Sequence, residues 1–90
     1  MRVRLLVSGR VQGVGFRWFV REAARRHRLA GWVRNRPDGG VEIEISGNDG
    51  AYREFLETVR DGPPGARVDD VQEILSSDAA SLPQPFTIIR

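Results

Sequence analysis

The segment from Gly9 to Arg17, Gly-Arg-Val-Gln-Gly-Val-Gly-Phe-Arg, contains the residue types best suited to binding an anion. Its glycines permit left-handed backbone conformations and a close approach of the main chain to a ligand. Residues 12–16 include no Ser, Thr, Asp or Asn, so no side chain there would cap the start of a following helix. Free N–H groups at a helix start, at the positive end of its dipole, form a binding site for anions.

Arg17 falls in the first turn of the helix that should follow, where the helix dipole disfavours positive charge. A bound anion would remove this conflict, and a phosphoryl group is the natural candidate because guanidinium pairs with it bidentately. The residues alone leave open a glycine-rich connection followed by a surface arginine. The chain has no lysine for a Walker loop, and the segment lacks the third glycine of the dinucleotide-binding pattern.

Apolar periodicity predicts the elements that would position these residues. Val3, Leu5 and Val7 alternate with other residues, which predicts a first strand over 3–8 with these side chains facing the core. Helical spacing predicts helices over 16–29 and 49–61, the second capped by Asn48. The other predicted segments are strands over 30–36, 41–46, 68–75 and 86–89, and a polar loop over 76–85.

The element order β-α-β-β-α-β-β predicts an α+β fold, the ferredoxin-like α/β sandwich. Its antiparallel sheet would have the order 4-1-3-2 plus a short C-terminal edge strand, with both helices on one face. The fourth strand alternates poorly, which indicates a bulge or an edge position. Strands one and two run parallel in this topology, so the loop after strand one and the end of strand two share one rim. Arg17 and Asn35 are therefore expected to meet there.

The glycine-rich segment resembles the signature of the acylphosphatases. Two further stretches carry the resemblance: residues 31–42, Gly-Trp-Val-Arg-Asn-Arg-Pro-Asp-Gly-Gly-Val-Glu, and residues 62–68, Gly-Pro-Pro-Gly-Ala-Arg-Val. It spans about residues 3–71, returns at 86–88, and implies a last strand beside strand two. It also implies hydrolysis of small acyl phosphates, with Arg17 holding the phosphoryl group and Asn35 the attacking water. The backbone amides implied to bind that group are those of Gln12, Gly13, Val14, Gly15, Phe16 and Arg17.

Such a reaction needs few protein groups. The leaving carboxylate has a conjugate acid with a pKa near ~4, so it departs without a general acid. The loose transition state of phosphoryl transfer is stabilised by positioning and by charge. Asn35 can orient water but cannot take its proton at neutral pH. The resemblance implies the substrate phosphate for that role, and the residues alone leave the proton acceptor open. We expect no metal and no cofactor, with inorganic phosphate as product and inhibitor.

Nearby carboxylates offer a different interpretation, a general acid and base pair. Glu42 and Glu44 alternate with the apolar residues of strand three, so they are expected on the outer sheet face, paired with Arg2 and Arg4. Asp38 lies in the turn Pro-Asp-Gly-Gly, and the preference of turns for aspartate fully explains its presence there. We therefore do not assign these carboxylates to catalysis.

Composition limits the remaining possibilities. Ninety residues form one domain, 1–90, and the absence of cysteine with a single histidine excludes disulfides and zinc clusters. All fourteen basic residues are arginine and the net charge is +2. No apolar run reaches membrane-spanning length and no signal peptide is evident, so we expect a cytoplasmic monomer without a membrane partner.

Two other functions remain as alternatives. An RNA-binding RRM module shares the predicted topology, but it stacks bases on aromatic residues of strands one and three. The outward positions of those strands contain no aromatic residue here, so we expect no nucleic-acid partner. The other alternative is a regulatory domain that binds an anion without hydrolysing a substrate.

Overall fold

The strands and helices follow the predicted order along the chain. The structure is a computed structural model, and it describes residues 1–76 and 80–90. Its elements are β1 (Arg2–Arg10), α1 (Phe16–Arg26), β2 (Ala30–Asn35), β3 (Val41–Ser46), α2 (Asp49–Asp61), β4 (Arg67–Leu75) and β5 (Thr87–Ile88). Among these described residues, no helix has both the length and the apolar character needed to cross a lipid bilayer.

The five strands form one sheet with the order β4-β1-β3-β2-β5, which confirms the predicted order and the edge position of the last strand. The first four strands pair antiparallel, whereas β5 pairs parallel with β2. The sheet is therefore mixed rather than wholly antiparallel. The reason is that the segment before β5 enters at the rim where β2 begins, as shown by the Gly31 N–H that donates to Pro83 O at 2.8 Å.

One face of the sheet and the two helices enclose the core. Val3, Leu5 and Val7 are buried, as their alternation predicted. The buried apolar residues of the other sheet strands and of the helices are Val33, Val41, Ile43, Ile45, Phe16, Val20, Ala23, Ala24, Tyr52, Phe55, Leu56 and Val59. The buried apolar face of α1 holds the first turn of this helix, with Arg17, near the end of β2, where Asn35 lies.

Helix α1 ends earlier than predicted, at Arg26 instead of residue 29. Arg28 adopts the left-handed conformation with φ 56°, and its N–H donates to Arg25 O. The Leu29 N–H donates to Ala24 O at 3.0 Å. These two bonds form a Schellman motif, which satisfies the last carbonyls of a helix and stops it. The prediction was wrong because this position usually holds glycine and here holds arginine.

The two strands at the sheet edges differ from their predicted form in detail. β4 lies at one edge and its register against β1 shifts between Ser8 and Gly9, so both the predicted edge position and the bulge are present. β5 is shorter than the predicted 86–89, since Thr87 and Ile88 are the residues in register with β2, although the Ile89 N–H still donates to Val33 O at 2.9 Å. The Phe86 side chain, just before β5, is fully buried in the core. The predicted loop 76–85 includes residues 77–79, which lie outside the described residues.

The outer sheet face is covered by ion pairs. Glu42 and Glu44 are only 4% and 1% exposed. Glu44 lies 3.6 Å from Arg2 Nε and 3.5 Å from Arg4 Nη2, which confirms the predicted pairing. Glu42 also accepts a hydrogen bond from Arg34 Nε at 2.8 Å. The aliphatic parts of the arginines shield both carboxylates from solvent, so neither is available as an acid or base.

Candidate active site

A glycine loop, residues 11–15, joins β1 to α1. Gly13 and Gly15 adopt the left-handed conformation, with φ 75° and 74°. A Cβ atom at either position would meet no other heavy atom within 4 Å, so glycine is needed here for the backbone conformation rather than for space. Helix α1 starts directly after Gly15 without a side-chain cap, and its first turn contains no acidic residue. The uncapped helix start predicted from the sequence is confirmed.

Hydrogen-bond donors at this helix start have no acceptors in the part of the chain that the structure describes. Within residues 1–76 and 80–90, none of the backbone N–H groups of residues 12–17 donates to another protein group. The Arg17 side chain, in the first turn of α1, has no ion pair or hydrogen bond with any described residue. The positive end of the helix dipole adds to the charge of Arg17. Together these groups form a concentration of positive potential suited to a small anion.

Asn35 lies at the end of β2, on the face of the sheet that the helices cover. It is in register with Val41, and both follow the alternation that buries Val33 and Ile43. The Asn35 side chain is exposed and makes no hydrogen bond within the described part of the chain. Its amide is therefore free to bind a ligand or a water molecule.

Arg17 and Asn35 line one cavity of about 220 Å³, as the topology predicted. The complete lining is Val11, Gly13, Gly15, Arg17, Trp18, Asn35 and Ile88. Of the predicted phosphate-binding positions, Gln12, Val14 and Phe16 do not line this cavity. Phe16 is buried in the core and Val14 packs against it, so they can contribute only through their backbone. No acidic side chain is among the lining residues, which favours an anionic ligand.

The Gln12 side chain connects the glycine loop to the turn after Asn35. Its Nε2 donates to Arg36 O at 2.9 Å and to Gly40 O at 2.8 Å, and we call these two hydrogen bonds the Gln12 bridge. This role of the Gln12 side chain was not predicted from the sequence, which indicated a role only for its backbone amide. The available signal was a side-chain amide within a loop of glycine and valine, which needs partners when partly buried.

The turn itself is held by local bonds. The Arg36 N–H donates to Gly40 O at 2.8 Å, and the Gly40 N–H donates to Asp38 Oδ1 at 2.9 Å. The Gly40 N–H and the Arg36 guanidinium lower the pKa of Asp38 below its ordinary value. Asp38 is thus a turn residue, as predicted, and its ionised carboxylate fixes the turn that follows Asn35.

A larger depression, about 320 Å³, lies on the outer sheet face. Its polar side chains include Arg36, Asp38, Asp70 and Gln72. The single arginine there is already paired with Asp38, at 3.2 Å, and a second carboxylate faces the same space. This depression therefore lacks the surplus positive charge of the cavity at Arg17, although it is larger.

The sequence is similar to known proteins along nearly its whole length. The family model for acylphosphatase matches residues 3–88. The chain belongs to the acylphosphatase family. A curated acylphosphatase of Bacillus licheniformis is 49% identical over 72 residues, which cover 80% of this chain and 80% of that protein. Another, from Salinibacter ruber, is 46% identical over 89 residues, which cover 99% of this chain and 93% of the relative.

The fold agrees with this assignment. The crystal structure of acylphosphatase from Bacillus subtilis superposes with a TM-score of 0.84 at 44% identity, covering 99% of this chain and 98% of the other. The resemblance inferred from the glycine-rich segment is thus confirmed. Membership in the family makes the chain an enzyme that hydrolyses acyl phosphates, as the sequence predicted.

Proposed function

We propose that the chain cleaves the carboxyl–phosphate anhydride bond of small acyl phosphates by direct attack of water on a phosphoryl group bound in the cavity at Arg17. The observation that supports this most is the composition of that cavity. It contains a guanidinium, an amide and the N–H groups of a glycine-rich helix start, none of which has a hydrogen-bond partner among residues 1–76 and 80–90. The products are a carboxylate and inorganic phosphate.

In this proposal, Arg17 and the backbone amides of residues 12–17 bind the phosphoryl oxygens. These oxygens carry negative charge in the substrate and spread it over three positions in the loose transition state. N–H groups already fixed by the fold stabilise that charge without reorganising. The planar guanidinium adds a bidentate pair of hydrogen bonds. The small size of the cavity suits a phosphoryl group better than a large ligand.

Asn35 holds the attacking water in line with the leaving carboxylate. Its amide accepts or donates a hydrogen bond but takes no proton at neutral pH. The water proton passes to a phosphoryl oxygen of the substrate. The carboxylate leaves unprotonated because its conjugate acid has a pKa near ~4, well below neutral pH, so the site needs no acidic side chain. Simple phosphate monoesters lack such a leaving group and should be poor substrates.

The proposal includes a cytoplasmic, monomeric enzyme formed by a single domain, 1–90. It uses no metal and no cofactor, so its rate should be the same with EDTA as with added magnesium. Inorganic phosphate inhibits competitively. We do not propose binding of nucleic acid, because Glu42 and Glu44 lie in the middle of the outer sheet face that an RRM module would use.

The test is to measure hydrolysis of benzoyl phosphate and inhibition by inorganic phosphate in three variants. Arg17→Ala should lower the rate by about 10³- to 10⁵-fold, as loss of a transition-state arginine does, and should also weaken phosphate binding. Arg17→Lys should stay impaired, because an ammonium cannot replace the planar fork. Asn35→Ala should lower kcat by roughly 10²-fold while the phosphate inhibition constant stays near wild type.

Arg26→Ala is the matched control. Arg26 is an exposed arginine in the last turn of the same helix, so its removal changes the net charge equally without touching the cavity. Circular dichroism should show that all the variants are folded, since none of these side chains lies in the core. Normal turnover by Asn35→Ala, or equal loss of phosphate binding in both alanine variants, would contradict the division of roles.

A further inference from the structure

Two apolar side chains border the cavity beside Arg17 and Asn35. Trp18 follows Arg17 in the first turn of α1, and Ile88 is in register with Val33 on the face of the sheet that the helices cover. Both line the cavity that holds Arg17. The cavity thus has a polar end, formed by the glycine loop and Arg17, and an apolar border formed by a helix residue and a strand residue.

The exposure of Trp18 is unusual for so large an apolar side chain at a site. The large apolar side chains exposed in the described part of the chain are Met1, Trp18, Ile74 and Leu75. Of these, only Trp18, 58% exposed, lines the cavity at Arg17. Its ring makes no contact with another described aromatic ring. The indole face is therefore available to a ligand.

We infer that Trp18 and Ile88 form a binding subsite for the acyl group, and that the enzyme prefers acyl phosphates with an aromatic or branched apolar acyl group. This inference rests on the proposed function, which places the phosphoryl group at Arg17. The cavity of about 220 Å³ is smaller than a typical pocket for a drug-sized ligand, so the acyl group of a bound substrate extends to the border. There it meets the indole and the isoleucine, and it meets no carboxylate.

Stacking on an indole favours aromatic groups over a methyl group. An aromatic pair contributes about 0.5–1.5 kcal/mol beyond the burial of its surface, and burial adds to it, so we expect a preference of about 10-fold. Stacking on Trp18 involves the acyl group, which is a part of the substrate that does not react. It should therefore appear in KM for the aromatic substrate and leave the affinity for inorganic phosphate unchanged.

The test compares benzoyl phosphate with acetyl phosphate in the wild type, Trp18→Ala and Trp18→Phe. The ratio of the two kcat/KM values is compared between variants, because any effect of a substitution on the phosphoryl chemistry that both substrates share leaves this ratio unchanged. We expect Trp18→Ala to reduce this ratio about 10-fold, and Trp18→Phe, which keeps an aromatic face, to restore most of it. Leu75→Ala removes an 85% exposed apolar side chain far from the cavity and should leave the ratio unchanged.

A binding measurement separates this inference from the proposed function. Benzylphosphonate and methylphosphonate, which cannot be hydrolysed, are compared with inorganic phosphate as competitive inhibitors. In a Trp32→Phe background Trp18 is the sole tryptophan, so its fluorescence reports contact with the benzyl group. Tighter binding of benzylphosphonate, lost in Trp18→Ala, with protection of Trp18 from acrylamide quenching, supports the subsite.

Two results would overturn the inference, and they differ in what they say about the proposed function. If both phosphonates compete equally and Trp18→Ala changes neither, the subsite is wrong while the phosphoryl site at Arg17 stands. If neither phosphonate nor inorganic phosphate competes with substrate, the phosphoryl site itself is wrong, and the subsite with it.

Discussion

Replacing Gln12 tests whether the glycine loop and the turn after Asn35 act as one unit. The Gln12→Ala change removes both hydrogen bonds of the Gln12 bridge, which run to Arg36 O and Gly40 O at 2.9 and 2.8 Å. It leaves the backbone amide of residue 12 in place. The variant therefore separates the positioning role of the side chain from the proposed binding of phosphate by the loop amides.

The expected loss of stability follows from these two bonds. Each contributes about 1 kcal/mol, and the part-buried carbonyls lose a donor, so the free energy of unfolding should fall by roughly 1–3 kcal/mol. For a domain of this size, each kcal/mol lowers Tm by about 4–8 °C. Thermal unfolding followed by circular dichroism measures the change. Gln72→Ala is the matched control, because Gln72 is exposed on the outer face of β4 and makes no side-chain hydrogen bond with described residues.

The kinetic effect should fall on turnover rather than on phosphate binding. Without the Gln12 bridge, the turn after Asn35 is less firmly held to the glycine loop, so the end of β2 with Asn35 can shift relative to the phosphoryl site. A displacement of about 1 Å costs up to 10²-fold in rate, so we expect kcat to fall about 10- to 100-fold at temperatures where the variant is folded. The phosphate inhibition constant should stay near wild type. Unchanged kcat with unchanged Tm would refute the reasoning, and an equal loss of kcat and phosphate affinity would show that Gln12 acts on the loop alone.

Three further predictions concern stability. Arg28→Gly should raise the free energy of unfolding by about 1 kcal/mol, measured by urea denaturation, because arginine is strained in the left-handed conformation at φ 56°; an unchanged or lower midpoint would contradict the Schellman assignment. Glu44→Ala should lower the free energy of unfolding by about 1–3 kcal/mol, which is less than for a fully buried pair because Arg4 is 44% exposed. An unchanged urea midpoint would show that these ion pairs contribute nothing to stability. Burial and the hydrogen bond to Glu73 raise the pKa of Tyr52, the only tyrosine in the sequence. The protonated Tyr52 therefore stabilises the fold fully below about pH 10, and this stabilisation is lost as the pH rises above that value. Near-ultraviolet absorbance should show no tyrosinate before alkaline unfolding, and ionisation in the folded state near pH ~10 would disprove the shift.

The sequence alone predicted the structure correctly wherever a local pattern, such as strand alternation or a helix cap, determines it. Alternation identified the core face of β1, and Asn48 was correctly predicted as the cap of α2, where its side chain accepts from the Gly50 and Ala51 N–H groups. The end of α1 was missed because Arg28 occupies a position that usually holds glycine, and only tertiary packing compensates that strain. The extent of β5 was missed because it depends on the parallel register with β2, which the local pattern of residues 86–89 does not specify.

The candidate site likewise contains features that could be predicted from the sequence and features that could not. The glycine loop and Arg17 were recognised from local spacing, and the shared rim with Asn35 followed from the topology. The Gln12 bridge and the Trp18–Ile88 border depend on contacts between residues far apart in the chain. Such contacts have no local signature in a single sequence, and they became visible only when the loop, the turn and β5 were placed together.

The most direct test of the central claim is a titration of the isotope-labelled protein with inorganic phosphate, followed by amide chemical shifts. The claim is that an anion binds at the start of α1, through Arg17 and the backbone amides of residues 12–17. The account predicts saturable shifts that cluster at those amides, and their loss in Arg17→Ala. Shifts confined to the arginines over residues 21–28 would instead show non-specific binding to a basic helix face, and would contradict anion binding at the start of α1.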